Sequence, residues 1–214
     1  MSLCYDYFIK ILLIGNKGVG KTTFIYKFLN KKDEKVVPTI GLDYHHKFIE
    51  TTHGIIKIRI WDTSGNCTYD TVLDRYSRAC HGFIFFYDIS NNESLLDIEK
   101  WINKIELCIE GKLYEKNIDY ILIGTKSDLH DNINIKDLLR IKEKYNCDSF
   151  TYNHLSDTSE KHIYHLINKI LNNQYTKNQL FKSIDKRDTN EKNIVLFEVN
   201  DYEIILNKNS GCCC

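Results

Sequence analysis

The run Gly15-Asn16-Lys17-Gly18-Val19-Gly20-Lys21-Thr22 fits G-x-x-x-x-G-K-[ST] at every position, and no other stretch constrains the fold as much. Its three glycines permit a curl in which successive backbone N–H groups point at one centre, and a helix starting behind them adds favourable charge for an anion. The flanks supply the required context. Residues 8–14 are apolar and read as a buried strand, and residues 23–29 carry helix-like apolar spacing. The stretch is therefore read as a phosphate-binding loop, with Asn16, Lys17, Gly18, Val19, Gly20, Lys21, Thr22 and Thr23 around the phosphates. Lys21 would reach the β- and γ-phosphates, and Thr22 would ligate magnesium. The competing reading, a chance match, is disfavoured because both flanks are correct.

The 214 residues allow one sizeable core, with a division expected into a folded domain over 1–173 and a flexible tail over 174–214. Lys plus Arg and Asp plus Glu both number 29, which argues against bulk electrostatic binding to nucleic acid. Of eight cysteines, Cys4, Cys67, Cys80, Cys108 and Cys147 are scattered without paired spacing and the other three are Cys212, Cys213 and Cys214. A reducing, intracellular compartment is expected. No apolar run is long enough to span a bilayer and the first residues carry no signal-peptide pattern, so a soluble body is expected.

Beyond the first helix, Thr39 lies in a connecting stretch where a hydroxyl could sense the third phosphate through magnesium; the plainer reading is an ordinary surface loop. Residues 44–50 and 55–61 alternate about a turn at His53 and Gly54 and read as a hairpin. That hairpin delivers Asp62 at the end of an apolar strand, placed to hold magnesium, and Gly65, whose N–H can face the γ-phosphate. The alternative is that Asp62 merely caps a turn. Residues 68–79 are loosely amphipathic, 81–88 read as a strand, and 92–110 as a helix in which Trp101 is core. Residues 120–124 form a further strand that presents Thr125, Lys126 and Asp128.

A carboxylate at Asp128 can accept the N1–H and N2–H of guanine, a donor pair adenine lacks, so GTP is selected over ATP. Lys126 would lie along the base and tie back to the phosphate-binding loop. Helices over 135–145 and 162–171 and a strand near 149–152 complete the pattern. The expected fold is α/β of the P-loop NTPase type: one mostly parallel six-stranded sheet with one antiparallel strand and about five helices on both faces. The adjacent terminal cysteines suit lipid attachment better than zinc or a disulfide, and with no polybasic patch two lipid chains are expected.

Together these residues resemble a small GTPase of the Ras superfamily, nearest the Rab subfamily. The resemblance rests on the phosphate-binding loop, the Thr39–Tyr44 segment like switch I, and the Trp61–Gly65 segment like switch II. It implies GTP and GDP with Mg2+ as ligands, GTP hydrolysis by a monomer, and catalytic roles for Lys21, Gly65 and Asn66. It also implies effector contacts through Ile40, Gly41, Tyr44, Trp61 and Tyr76, together with exchange factors and activating proteins. Cys213 and Cys214, with Cys212 possible, resemble a double geranylgeranylation site. Ile204, Ile205 and Leu206 are similar to the motif that docks on Rab escort protein and GDP-dissociation inhibitor. The implied place is the cytoplasmic face of an intracellular membrane, cycling with cytosol, in vesicular trafficking.

Several positions depart from the family pattern. Asn66 stands where the family's water-orienting glutamine is one methylene longer; an amide held back by about 1.5 Å loses much of its positioning. Lys17 replaces a small residue beside the γ-phosphate, Cys67 an acidic one, and Thr125 an asparagine. Switch I is one residue short, with Asp33 or Glu34 where an aromatic normally stacks on guanine. The fifth motif is placed at Ser156 and Asp157, and residues 110–117 read as an inserted surface loop. The main expectation is a switch that hydrolyses GTP slowly; the alternative is a catalytically impaired adaptor of the same fold. An ATP-using enzyme is disfavoured by Asp128.

Overall fold

The computed structural model describes residues 5–31, 36–51, 54–65, 70–113, 115–116, 118–155 and 158–173. In chain order they form β1 (Tyr7–Gly15), α1 (Lys21–Phe28), β2 (Leu42–Thr51), β3 (Gly54–Thr63), α2 (Asp70–Ser77) and β4 (Gly82–Asp88). These are followed by α3 (Asn92–Cys108), β5 (Asp119–Thr125), α4 (Ile135–Tyr145), β6 (Asp148–Thr151) and α5 (Ser159–Asn172). Asp33, Glu34, His53, Asn66, Cys67, Ser156, Asp157, Ile204, Ile205, Leu206 and Cys212 to Cys214, singled out in the sequence, lie outside the described residues.

The six strands pair in the order β2-β3-β1-β4-β5-β6, with only the β2–β3 pair antiparallel. Hydrophobic patterning explains this arrangement. β4 is buried at every position and β1 nearly so, as expected of parallel strands covered on both faces. Alternate residues of β1 feed two cores. Ile9, Ile11 and Leu13 pack with Phe24, Phe28, Ile163 and Ile167 on one face; Leu12 and Ile14 pack with Phe85, Leu95, Ile98 and Ile102 on the other. The mostly parallel sheet with one antiparallel strand and five helices matches the expected fold.

Helix ends follow local chemistry. Asn91 caps α3 by accepting from Glu93 N at 3.0 Å, and Asn134 caps α4 by accepting from Lys136 N at 3.0 Å. α3 ends two residues before the expected 110. Glu110 takes a left-handed φ of 57°, Gly111 N bonds Glu106 O and Glu110 N bonds Leu107 O, which closes the helix and turns the chain away. The stretch after α3 is not simply a surface insertion. Leu113 is buried in the second core, and Glu106 holds the turn by accepting from Leu113 N at 3.2 Å and Lys112 Nζ at 2.6 Å.

Parallel strand order places the carboxyl ends of β1, β3, β4 and β5 along one edge of the sheet. The loops after β1, β3 and β5 carry the phosphate, metal and base residues named from the sequence. In an open α/β sheet this is where ligands bind.

Candidate nucleotide site

β1 ends at Gly15, whose φ of 146° and position leave no room for a side chain: a Cβ would lie 2.4 Å from Phe86 O. The loop then curls into α1. Gly20 occupies the N-cap of α1, no side chain caps the helix, and its first turn holds no acidic residue. The N–H groups of that first turn are thus left for an anion, and the helix dipole favours one. Lys21 folds back over the loop. Its Nζ donates to Gly15 O at 2.8 Å and Asn16 O at 2.9 Å, and the side chain is buried. Burial pushes the ammonium down to about 8, with the Asp62 charge opposing the shift.

Thr22, Thr39 and Asp62 come together from α1, the following loop and β3. Thr22 Oγ1 donates to Asp62 Oδ2 at 2.5 Å, Thr39 Oγ1 lies 3.0 Å from the same oxygen, and the two hydroxyls are 2.8 Å apart. Asp62 is fully buried, yet its Oδ1 has no hydrogen-bond partner among the described residues. Burial pushes this carboxyl up, while the Thr22 hydrogen bond, the Lys21 charge and the Thr39 hydrogen bond pull the other way. An orphaned carboxylate oxygen beside two hydroxyls is an all-oxygen donor set suited to a hard divalent cation such as Mg2+, which takes its remaining ligands from phosphate and water. Bound there, the cation would offset phosphate charge.

A cavity of about 240 Å³ opens between the phosphate-binding loop and the Thr39 loop, lined on one side by Lys17, Gly18 and Gly20 to Thr23 and on the other by residues 36–39, 63 and 64. Lys17 is exposed at its rim. Gly65 closes against the loop with φ 70°.

The loop expected to read the base follows β5. Lys126 adopts a left-handed φ of 59°, strained for a lysine, and Leu129 N closes the turn on Lys126 O at 2.9 Å. Here the structure corrects the sequence reading. Lys126 Nζ does not tie to the phosphate-binding loop; it pairs with Asp88 Oδ2 at 2.5 Å at the end of β4. Burial favours the neutral Asp88 carboxyl, but the hydrogen bonds from Lys126 and Ser90 outweigh it and hold the group below the usual range. The tie comes instead from Thr125, whose Oγ1 faces Val19 O at 2.5 Å and Tyr87 O at 3.0 Å while 2% exposed. Thr125→Val keeps the shape and removes the one O–H donor that these two carbonyls share. It is expected to remove about 1–2 kcal/mol of stability, a fall of roughly 4 °C in unfolding temperature measured calorimetrically.

Of the fifth motif, the described neighbours of Asp128 come earlier in sequence than Ser156. His154 Nδ1 lies 3.5 Å from Asp128 Oδ1, and Ser127 N donates to Tyr152 O at 3.2 Å. Sequence spacing alone did not locate His154, because the connection from β6 to α5 has no fixed length.

A family model described as the Ras family matches residues 10–179, more than half of the chain. The chain belongs to the Ras family. Three curated relatives of this Ras-family chain are the Ras-related protein RIC1 of Oryza sativa subsp. japonica, the Ras-related protein RABD2a of Arabidopsis thaliana and the GTP-binding protein YPTM2 of Zea mays. Each is 36% identical over 129 residues, covering 60% of this chain and 61% of the relative. The chain thus matches under two thirds of those relatives' length. Over that stretch the Ras-family chain is similar to these Ras-related and GTP-binding proteins.

The expected partner-contact residues of this Ras-family chain divide by exposure. Ile40 is 88% exposed and Tyr44 43%, whereas Trp61 is buried edge-on against Tyr76 with ring centres 5.1 Å apart. Tyr44 sits under the Arg59 guanidinium at 5.1 Å, which also lies 4.9 Å from the Phe8 ring. Gly41 shapes the same edge: its carbonyl accepts from Ser64 N at 3.0 Å, linking the Thr39 loop to the segment ending at Gly65.

Proposed function

We propose that the chain is a GTP-binding switch that hydrolyses GTP slowly to GDP and recruits effectors in its triphosphate form. The observation that carries this reading is the convergence of three side chains from separate elements: the Thr22 and Thr39 hydroxyls both lie within 3.0 Å of one Asp62 carboxylate oxygen. A hydroxyl on an exposed loop held at the metal end of the site lets the third phosphate order that loop and its loss release it. The exposed Ile40 and Tyr44 beside it are the effector contacts. Guanine over adenine is selected at Asp128, with Lys126, Thr125 and the fifth-motif residues Ser156 and Asp157 around the base. The folded unit is the 1–173 domain; the tail, with lipids on Cys213 and Cys214, holds the protein to a membrane in vesicular trafficking.

Slow turnover rests on Asn66 and Lys17. The shorter amide at 66 reaches less far toward an attacking water, and Lys17 at the cavity rim stands where an activating protein would insert an arginine. The reading is tested by single-turnover hydrolysis after loading with GTP and Mg2+. GTP is expected to persist for hours, and Asn66→Gln is expected to accelerate hydrolysis by up to about a hundredfold. A wild-type rate equal to that of an ordinary Rab would overturn the slow switch, and failure to retain any guanine nucleotide would leave the adaptor reading instead.

A further inference from the structure

Asn16 carries a side chain whose two ends are both engaged, far from the chain segment it belongs to. Its Nδ2 donates to Asp97 Oδ2 at 2.7 Å, and its Oδ1 accepts from Trp101 Nε1 at 2.8 Å. Asp97 and Trp101 are four residues apart on α3 and so share one face of that helix. Trp101 is 5% exposed, its ring packed in the core beneath, and Asp97 is braced from the other side by Lys100 Nζ at 2.6 Å. Only one orientation of the carboxamide satisfies this pair. Flipped, it would set an NH2 against the indole N–H and an oxygen against a carboxylate.

The main chain of the same residue stands where three parts of the site meet. Asn16 O accepts from Lys21 Nζ at 2.9 Å. The Asn16–Lys17 peptide is also the surface Gly65 rests on: a Cβ at residue 65 would lie 2.6 Å from both Asn16 C and Lys17 N. Beyond it, Lys17 and Gly18 are exposed and Gly18 turns with φ 80°. The peptide that meets the phosphate lysine and the Gly65 loop is therefore fixed by side-chain bonds to α3.

We propose that Asp97 and Trp101 are positioning residues that hold the phosphate-binding loop in its nucleotide-retaining form through the Asn16 carboxamide. The inference rests on the guanine-nucleotide reading of the site and adds to it a link between α3 and the phosphates. It assigns Trp101 a role besides filling the core. Because the fixed peptide is the one Gly65 closes on, the link acts more on the triphosphate state than on the diphosphate state.

The test measures dissociation of fluorescent N-methylanthraniloyl GTP and GDP, with Mg2+, from the full chain and from Asn16→Ala, Trp101→Phe and the double variant. Trp101→Phe keeps most of the ring and removes only the N–H donor. Each single variant is expected to release GTP about five- to tenfold faster, GDP by a smaller factor, and the double variant no more than about twofold faster than Asn16→Ala alone. Ile105→Val, a core change on α3 two turns beyond Asp97, is expected to lower the unfolding temperature without moving either rate. Wild-type rates in both single variants, or effects that multiply in the double variant, would overturn the proposal while leaving the nucleotide reading in place. A wild-type chain that retains neither nucleotide would overturn both.

Discussion

Lys21→Met is expected to weaken guanine-nucleotide binding by about a thousandfold. Among the described residues the ammonium is the one cation buried at the phosphate end, and two of its protons are spent on Gly15 O and Asn16 O. The remaining proton and the full charge act on phosphate. A charge-assisted hydrogen bond of this kind contributes about 1.5–3 kcal/mol, and attraction of the ammonium to the other phosphate oxygens brings the total to about 4 kcal/mol, which gives the stated factor. Burial alone works against the lysine, as its fall to about 8 records. A methionine of similar length removes that penalty but leaves Gly15 O and Asn16 O without their donor and Asp62 without the lysine charge, so the unfolding temperature of the nucleotide-free variant is expected to fall by a few degrees.

The same lysine sets a pH dependence whose sign is fixed. Its folded value of about 8 lies below the ordinary 10.5, so from about pH 8 to 10.5 the folded chain without nucleotide binds fewer protons than the unfolded chain. Stability of that form therefore rises with pH across the window. Phosphate favours the ammonium, so binding takes up a proton above about pH 8 and affinity falls there, by at most about tenfold per pH unit. Titration calorimetry from pH 7 to 10 checks both statements. A Lys21→Met variant that binds as tightly as wild type, or keeps the alkaline slope, would remove Lys21 from the phosphate site.

What sequence revealed and what it hid follow from distance along the chain. The phosphate-binding loop was legible because a contiguous octapeptide encodes it, and the expected bounds of α4 match the structure because Asn134, an apolar stripe and Asn146 mark it locally. α5 starts three residues before the expected 162, since its first turn buries Ser159, whose polarity hid it from an apolar pattern. The Asn16 link to Asp97 and Trp101 joins residues 81 and 85 positions apart, which no local spacing encodes. Trp101 was correctly read as core, but its N–H had no visible partner until α3 was laid on the loop. The Lys126 tie failed for a related reason: Asp88, at the end of the neighbouring strand, is closer than the loop and carries the charge the lysine needs.

Gly65→Ala is expected to lower affinity for GTP by at least about tenfold more than affinity for GDP. At φ 70° an alanine pays about 1–2 kcal/mol for the left-handed conformation alone. The contacts are worse than the conformation. Its Cβ would meet Gly15 O at 2.5 Å and Asn16 C and Lys17 N at 2.6 Å, all backbone atoms held by Lys21 and by the Asn16 side chain. The loop cannot yield, so the segment carrying residue 65 must move away, and its N–H goes with it. That displacement reaches the other switch, because Ser64 N is bonded to Gly41 O at 3.0 Å and Thr39 lies two residues before Gly41. The variant should thus keep the diphosphate, which needs Lys21 and the α1 N-terminus, and lose the ordering of residues 36–41 that the third phosphate brings. Dissociation rates of the two nucleotides, with proteolysis of the 36–41 stretch in each state, read both effects. Equal losses for GTP and GDP would show that Gly65 serves the loop's shape and not the recognition of the third phosphate.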